Sequence, residues 1–352
     1  MNKLILLATL LIWTATGHVS AQTAEDGVKL AREGKFQEAM AVWEAIGDGV
    51  SLRNIGGVYI SGVLGSQNLA AARDYLERAA NMNDAQAMLS LGYIHLNGAG
   101  TPADLATAKG WFVRASDLGL PEAKYMVSQL ILDGPSSESD VLHAIELLQA
   151  SADAGFPKSL VKVGDLLRSG TYTERDVNKA LSYYQAAADN GVAEALNTIG
   201  DIYLFAELGE ADTGKALTAY NRAIEKGVKA SMYSAAFLLY SSPDANQNTL
   251  SRAYDLAKTA ALAWDEKAQL LLGRMYIEGR YVSHNMEEAF FWLDLAASAG
   301  VFEAHHLRAL AATELGSKAV EKLHARARMW FDENHSTPHT HRLLTNNQHR
   351  FQ

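Results

Sequence analysis

Two short motifs in the sequence contain residue types that can carry covalent or phosphate chemistry. Ser159-Leu160-Val161-Lys162 has the S-x-x-K spacing of penicillin-binding enzymes, in which a lysine helps to activate a serine nucleophile. The companion S-D-N and K-T-G motifs are absent, and roughly one such match is expected by chance. Gly98-Ala99-Gly100 lacks the preceding strand that a nucleotide-binding glycine loop requires. We therefore predict no catalytic residues and no cofactor.

Three groups of polar residues have side chains of the metal-ligating types. They are His305-His306, then His335, His339 and His341, and the acidic run Glu207, Glu210 and Asp212. The adjacent pair diverges around a helix, and the triplet lies in a polar tail without groups to orient it. The acidic run fits a turn with a helix cap better than a calcium site. No metal site is predicted.

The elements that must position any functional side chain are helices. The 352 residues include 57 alanines, six prolines and no cysteine. Alanine favours helix and proline disrupts it, so the composition indicates an all-α protein. Without cysteine there are no disulfides, thiolate metal sites or cysteine nucleophiles. The net charge of −9 disfavours nucleic acid and anionic lipid as partners.

The N-terminus has the pattern of a secretory signal peptide. Lys3 precedes an apolar stretch over 4–16, and Val19-Ser20-Ala21 provides the small residues of a cleavage site. We expect removal of residues 1–21 and export, to a bacterial periplasm or as a secreted protein. The alternative is an uncleaved N-terminal anchor. No later stretch of 18 residues is apolar, so the mature chain is expected not to insert into a membrane.

An internal repeat of 36 residues organises most of the chain. A Gly-x-x-Tyr-x-x-Gly motif, with substitutions, recurs seven times, and we term its first residue the key position. The key positions are Gly56, Gly92, Ser128, Gly164, Gly200, Ala236 and Gly273. An alanine follows each by 16 or 17 residues: Ala72, Ala108, Ala144, Ala180, Ala216, Ala253 and Ala289. A fixed period of this length indicates stacked helix pairs.

Helix boundaries can be read from the same columns. The residue four before each alanine is expected to cap the second helix of the repeat, helix B: Asn68, Asp104, Asp140, Asp176, Asp212, Thr249 and Asn285. Helix B ends at Asn83, Gly119, Gly155, Gly191, Gly227 and Gly300, with Trp264 as the exception. Glycine within helix A, the first helix, predicts close approach of helix B through its small alanine columns.

These repeats resemble the Sel-one-like repeat (SLR) family, which is related to the tetratricopeptide repeats. Phrases such as Leu91-Gly92-x-x-His95-x-x-Gly98 and Lys179-Ala180-x-x-Tyr183-Tyr184 carry the similarity over about residues 50–300. The resemblance implies an all-α, right-handed α-solenoid superhelix of about seven 36-residue helix-turn-helix repeats, with capping helix pairs at both ends.

The expected organisation has five segments. They are a signal peptide (1–21), a tetratricopeptide-like helix pair (22–49), seven repeats (50–300), C-terminal capping helices (301–333) and a disordered tail (334–352). The sixth repeat is irregular, with an inserted residue and Trp264 in place of glycine. We hypothesise a change of curvature or a docking point there, and simple drift in a tolerant turn is the alternative.

By analogy with tetratricopeptide repeats, helix A forms the concave wall that binds a partner. We predict contacts by Tyr93, Asp165, Asp201, Tyr233 and Phe237, the alternative being ordinary helix surface. The resemblance implies a non-enzymatic adaptor for a protein partner in envelope assembly, signalling or host contact. A second hypothesis is a cell-wall factor that binds peptidoglycan or a lytic enzyme. Some cysteine-rich relatives are linked to β-lactams, but this chain lacks their cysteines.

Overall fold

A computed structural model describes residues 23–100 and 102–335, and within these ranges all regular structure is α-helical. The helices are α1 Ala24–Arg32, α2 Phe36–Ile46, α3 Gly49–Ser61, α4 Leu69–Asn81, α5 Ala85–Asn97, α6 Leu105–Asp117, α7 Pro121–Leu132, α8 Glu138–Asp153, α9 Pro157–Ser169, α10 Val177–Asp189, α11 Glu194–Leu204, α12 Thr213–Glu225, α13 Ala230–Ser241, α14 Gln247–Leu262, α15 Glu266–Glu278, α16 Met286–Ser298, α17 Phe302–Leu315 and α18 Ser317–His335. The predicted signal peptide lies outside the described residues.

The helices fall into two compact units. Unit 1 contains the residues up to Val163 with Thr171–Thr173, and unit 2 contains Gly164–Gly170 with the residues from Glu174 onward. Hairpins α1–α2, α3–α4, α5–α6 and α7–α8 pack in sequence in unit 1, as do α11–α12, α13–α14 and α15–α16 in unit 2. This order of hairpins is an α-solenoid, as the repeat predicts.

Most of the predicted caps of helix B are confirmed. Asn68, Asp104, Asp176, Asp212 and Asn285 each accept a hydrogen bond from a backbone amide of the first turn.

Two predicted caps are wrong, because α8 and α14 begin about one turn earlier. Ser137 caps α8, with Asp140 as its reciprocal partner three residues on, and Asn246 caps α14 in place of Thr249. Each of these helices has 16 residues, whereas 13 is the length of α4, α6, α10, α12 and α16.

This correction can be tested in α14. We expect Asn246→Ala to lower the free energy of unfolding by about 1 kcal/mol, because the carboxamide oxygen accepts from Thr249 N–H at 3.0 Å. Thr249→Ala should have a clearly smaller effect, since that hydroxyl only donates to Asn246 at 3.2 Å. Urea unfolding of both variants measures the difference. If both substitutions lower the free energy of unfolding equally, Asn246 is not the principal cap of α14.

The key glycines face large side chains and not the small columns that we expected. A Cβ added at Gly92 would lie 2.4 Å from the Phe112 ring, and one at Gly200 would lie 2.4 Å from the Tyr220 ring. Leu76, Tyr184 and Leu293 occupy the same place opposite Gly56, Gly164 and Gly273. Each of these large residues stands four positions after the repeated alanine and is almost fully buried. The missing side chain in helix A therefore makes room for a large, almost fully buried residue of helix B.

The sixth repeat shows the same rule in reverse. Its key residue is Ala236, and the position opposite in the pattern is Ala257, which is also fully buried in the same cluster. A larger residue on helix A accompanies a smaller one on helix B.

The helix pair α1–α2 lies at the N-terminal end of unit 1. Ala39 and Trp43 on α2 are buried, and Gly34 has a positive φ in the turn between α1 and α2. The Trp43 indole donates a hydrogen bond to the Ala24 carbonyl at 3.0 Å and fills the space where Gly27 has no side chain.

The C-terminal pair closes unit 2, with α18 packed against α16. Asn334 belongs to α18, so the predicted boundary of the tail at 334 is slightly early, and the remainder of the tail after 335 lies outside the described residues. Trp264 lies two residues after the end of α14 and adopts the left-handed conformation, with φ of 71°, although it is not glycine. The centroid of its ring lies 4.7 Å from that of Trp330 and 5.5 Å from that of Phe331, both on α18. The irregular sixth repeat thus provides a docking point for the chain's own last helix.

In residues 23–100 and 102–335, no helix combines the length and the apolarity that crossing a bilayer requires.

Candidate functional site

The motifs that suggested chemistry have structural roles. Ser159 is fully buried and donates to the Ser151 hydroxyl at 2.7 Å, which in turn donates to the Pro121 carbonyl at 2.6 Å. The Ser159 hydroxyl is therefore part of a hydrogen-bonded chain that links α9, α8 and α7 within unit 1. Gly98 caps α5 with a positive φ in the turn before α6.

The metal-ligating residue types also lie apart or serve the fold. Asp212 caps α12, and the Glu207 carboxylate is bound by Arg168 and Arg175. His305 and His306 are both exposed on α17. Within the described ranges, no group of three or more His, Cys, Asp or Glu residues is placed to hold a metal ion. His339 and His341 lie outside the described residues.

Two of the five predicted contact residues are hydrogen-bonded inside their own hairpin, and a third has a ring contact there. Asp165 accepts from the Tyr184 hydroxyl at 2.7 Å, and Asp201 accepts from the Tyr220 hydroxyl at 2.7 Å. In the second repeat the equivalent pair is aromatic, since the rings of Tyr93 and Phe112 meet edge to face with centroids 5.4 Å apart. The residue after the key position therefore touches the large core residue of helix B. We call this the hairpin pair.

Three of the predicted residues meet in one groove of unit 2, which we call the acidic groove. It has a volume of about 490 Å³ and lies along three consecutive A helices, α11, α13 and α15. Its principal lining residues are Asn197, Asp201, Tyr233, Phe237, Asp265 and Lys267. Tyr93, which lies in unit 1, and Asp165 on α9 are not part of it.

Asp201 is held by a hydrogen-bonded chain at one wall of the groove. Its carboxylate accepts from Tyr220 and, at 3.3 Å, from the Asn197 carboxamide, which itself accepts from Ser231 at 2.9 Å. Burial raises the pKa of Asp201 above its ordinary value, although the Tyr220 hydrogen bond acts in the opposite direction. The side chain is therefore fixed in position but incompletely solvated.

The other walls supply a second carboxylate and an aromatic surface. Asp265 caps α15 by accepting from Ala268 N–H at 2.8 Å, and burial raises its pKa as well. Tyr233 and Phe237 lie one turn apart on α13 with ring centroids 6.0 Å apart. Phe205, at the end of α11, also lines the groove and is 67% exposed.

The contribution of Asp265 was missed at the level of sequence. It stands at the start of a helix A, whereas the predicted contact residues lie within these helices. The signal was nevertheless present, because Asp48, Asp84 and Asp265 all precede an A helix and cap it. Asp265 therefore has two roles, because it caps α15 and also lines the acidic groove.

The raised pKa of Asp201 predicts a pH-dependent stability difference. The folded protein retains this proton to higher pH than the unfolded chain, so ionisation destabilises the fold as pH rises through the acid range. Asp201→Asn keeps an acceptor for Tyr220 and cannot ionise. Its free energy of unfolding, relative to wild type, should therefore increase from pH 3 to pH 7 in urea titrations. A difference that is constant with pH would contradict this assignment.

The family model that matches the chain is described as the Sel1 repeat. It matches residues 50–84, 85–120, 121–156, 157–192 and 266–301, which together exceed half of the sequence. Residues 193–265, which carry most of the acidic groove, fall between the matched repeats.

Solved structures with the same fold include two bacterial proteins. The protective antigen c5321 of uropathogenic Escherichia coli, described as displaying an SLR fold, is 18% identical over 91% of this chain and 77% of its own, with a TM-score of 0.69. A Sel1 repeat protein from Oxalobacter formigenes is 26% identical over 68% of this chain and 100% of its own, with a TM-score of 0.58. No curated protein matches the sequence.

Proposed function

Since the chain belongs to the Sel1 repeat family, whose members bind protein partners and are typically non-enzymatic, we propose that it is a non-catalytic adaptor that binds a protein through the acidic groove. The observation that carries this proposal is the groove itself. Three consecutive A helices contribute to it, and it holds two half-buried carboxylates beside an aromatic pair. Partially exposed aromatic residues of this kind are typical anchors of protein interfaces.

The choice of this groove is supported by its difference from the other helix surfaces. The Tyr93 hydroxyl donates to Glu122 and Asp165 accepts from Tyr184, whereas the partly exposed rings of Tyr233 and Phe237 contact each other and the edge of the core. A groove volume of about 490 Å³ is within the usual range for pockets that receive a ligand or an anchoring side chain.

The test is quantitative capture of a binding partner by variants of the purified protein. A Tyr233→Ala/Phe237→Ala double variant should lose at least tenfold in affinity for a partner that wild type retains and that binds when purified. Phe302→Ala is the matched control, because Phe302 is an aromatic residue of unit 2 that is 85% exposed and lies outside the groove. Equal retention by all three proteins would exclude the groove as the binding site.

We further propose that the protein is exported, with residues 1–21 as the signal, and that it acts in the periplasm or after secretion. The support is the sequence pattern of Lys3, the apolar stretch and Val19-Ser20-Ala21. N-terminal sequencing of protein from fractionated cells should find Gln22 as the first residue. An intact Met1 in the cytoplasmic fraction would contradict export. If the wild-type protein and the Tyr233→Ala/Phe237→Ala variant both sediment with peptidoglycan, a cell-wall factor would be favoured.

A further inference from the structure

The acidic groove has a chemical character that indicates what its partner presents, and this inference rests on the binding function proposed above. Asp201 on α11 and Asp265 at the start of α15 face the groove from different helices. The helix between them in the chain, α13, contributes Tyr233 and Phe237. Carboxylates next to aromatic faces form the type of surface that attracts a cationic side chain.

The two carboxylates differ in their pairing from other buried acids of unit 2. Among the described residues, no lysine, arginine or histidine forms an ion pair with Asp201 or Asp265, whereas the buried carboxylate of Asp294 is paired with Arg308 and that of Glu207 with Arg168. Lys267 lines the groove but is exposed. For both carboxylates burial outweighs the attraction of nearby cations such as Lys267, and a cation that enters the groove would offset this.

We propose that the acidic groove binds an arginine or lysine side chain from an extended segment of the partner protein. The cationic head group lies between the carboxylates of Asp201 and Asp265, where it receives charge-assisted hydrogen bonds. The methylene stem lies along the rings of Tyr233 and Phe237, which bury it and attract the charge. Arginine suits the site better than lysine, because its planar fork can contact a carboxylate and a ring together.

The chain offers closely matched variants for a test. Asp201→Asn and Asp265→Asn remove one negative charge each while keeping an acceptor for Tyr220 and a good helix cap for α15. Asp165→Asn is the control, because Asp165 also accepts from a tyrosine hydroxyl but does not line the groove. All three variants change the net charge equally, so long-range electrostatics cannot separate them. Thermal unfolding by circular dichroism verifies that each is folded.

The probes are two fluorescein-labelled peptides with the sequence Gly-Ser-Arg-Gly-Ser-Arg-Gly-Ser, one with arginine and one with neutral citrulline. Fluorescence anisotropy with the wild-type protein should show at least tenfold tighter binding of the arginine peptide. Asp201→Asn and Asp265→Asn should each weaken that binding by about tenfold, which corresponds to about 1.4 kcal/mol. Asp165→Asn should change it by less than about twofold. Binding should weaken as salt is added.

The outcomes separate this inference from the function on which it rests. Equal binding of both peptides, or equal effects of Asp201→Asn and Asp165→Asn, would overturn cation recognition. If peptide binding is then independent of charge but is lost in Phe237→Ala, the groove still binds protein and the proposed function stands. If neither peptide binds and captured partners ignore the Tyr233 and Phe237 variants, both proposals fail. Spermidine and the unlabelled arginine peptide can be compared as competitors at the same concentration of positive charge. If only spermidine displaces the labelled peptide, the groove binds a small polyamine, which also overturns the inference.

Discussion

Replacing Gly92 with alanine is expected to lower the free energy of unfolding by about 1–3 kcal/mol, although alanine is the better helix former. The new Cβ would lie 2.4 Å from Cε1 of Phe112 and 2.8 Å from Cζ, and the ring is fully buried. Either the ring leaves its rotamer or α5 and α6 move apart. Urea unfolding followed by circular dichroism measures the loss, and hydrogen exchange locates it in the α5–α6 hairpin.

Gly110 provides the control within the same hairpin. It lies in the middle of α6, and a Cβ there would have no atom within 4 Å. Gly110→Ala should therefore raise the free energy of unfolding by about 0.5–1 kcal/mol, the ordinary gain for glycine to alanine in a helix. Opposite signs for the two substitutions would establish that Phe112 is the reason for glycine at position 92. A neutral or stabilising Gly92→Ala would refute that explanation.

Replacing Asp294 with alanine is expected to cost about 2–4 kcal/mol and to release α18 from unit 2. The side chain is only 1% exposed, and its two oxygens accept from Arg308 at 2.7 Å and from His324 at 2.6 Å. The carboxylate thus ties α17 and α18 to α16. Its removal leaves both partners without their acceptor and opens a cavity. Faster amide exchange and proteolytic cleavage within α18 should accompany the loss.

A second ion pair on α18 separates the effect of burial from that of charge. Arg326 donates to Glu288 at 2.7 Å, but the two side chains are 47% and 29% exposed. Arg326→Gln should cost less than about 1 kcal/mol, because water replaces most of the interaction. If the Arg326 and Asp294 variants are equally destabilised, the buried carboxylate is not the principal attachment of α18.

The sequence period was sufficient to predict the hairpins, because each one repeats the same boundaries and buried positions. It did not predict the start of α8 or α14, where Ser137 and Asn246 compete with the expected caps and lengthen the helix. In α8 the two candidates act together, because Ser137 and Asp140 form a local capping box whose first residue marks the start of the helix. The sequence shows a large residue four positions after most of the repeated alanines. It does not show that this side chain points at the key glycine of helix A.

The candidate site was predicted in part. Asp201, Tyr233 and Phe237 meet in the acidic groove, whereas Tyr93 and Asp165 do not line it. Variability within one column indicated which positions differ, but it did not reveal that some of these side chains are bonded within their own hairpin. The groove also needs Asp265, which comes from the next repeat along the chain. Sites built across neighbouring repeats depend on geometry that a single column does not contain.

The hairpin pair has a consequence for redesigning the surface of this protein. Because Asp201 accepts from Tyr220, exchanging it for an apolar residue would leave a tyrosine hydroxyl without its acceptor beneath the new surface. A transplanted recognition residue therefore has to travel with its helix B companion, as Asp165 does with Tyr184. The smallest module that can be exchanged between repeats is a two-residue unit spanning both helices. Altered specificity would then be engineered by swapping such units between hairpins.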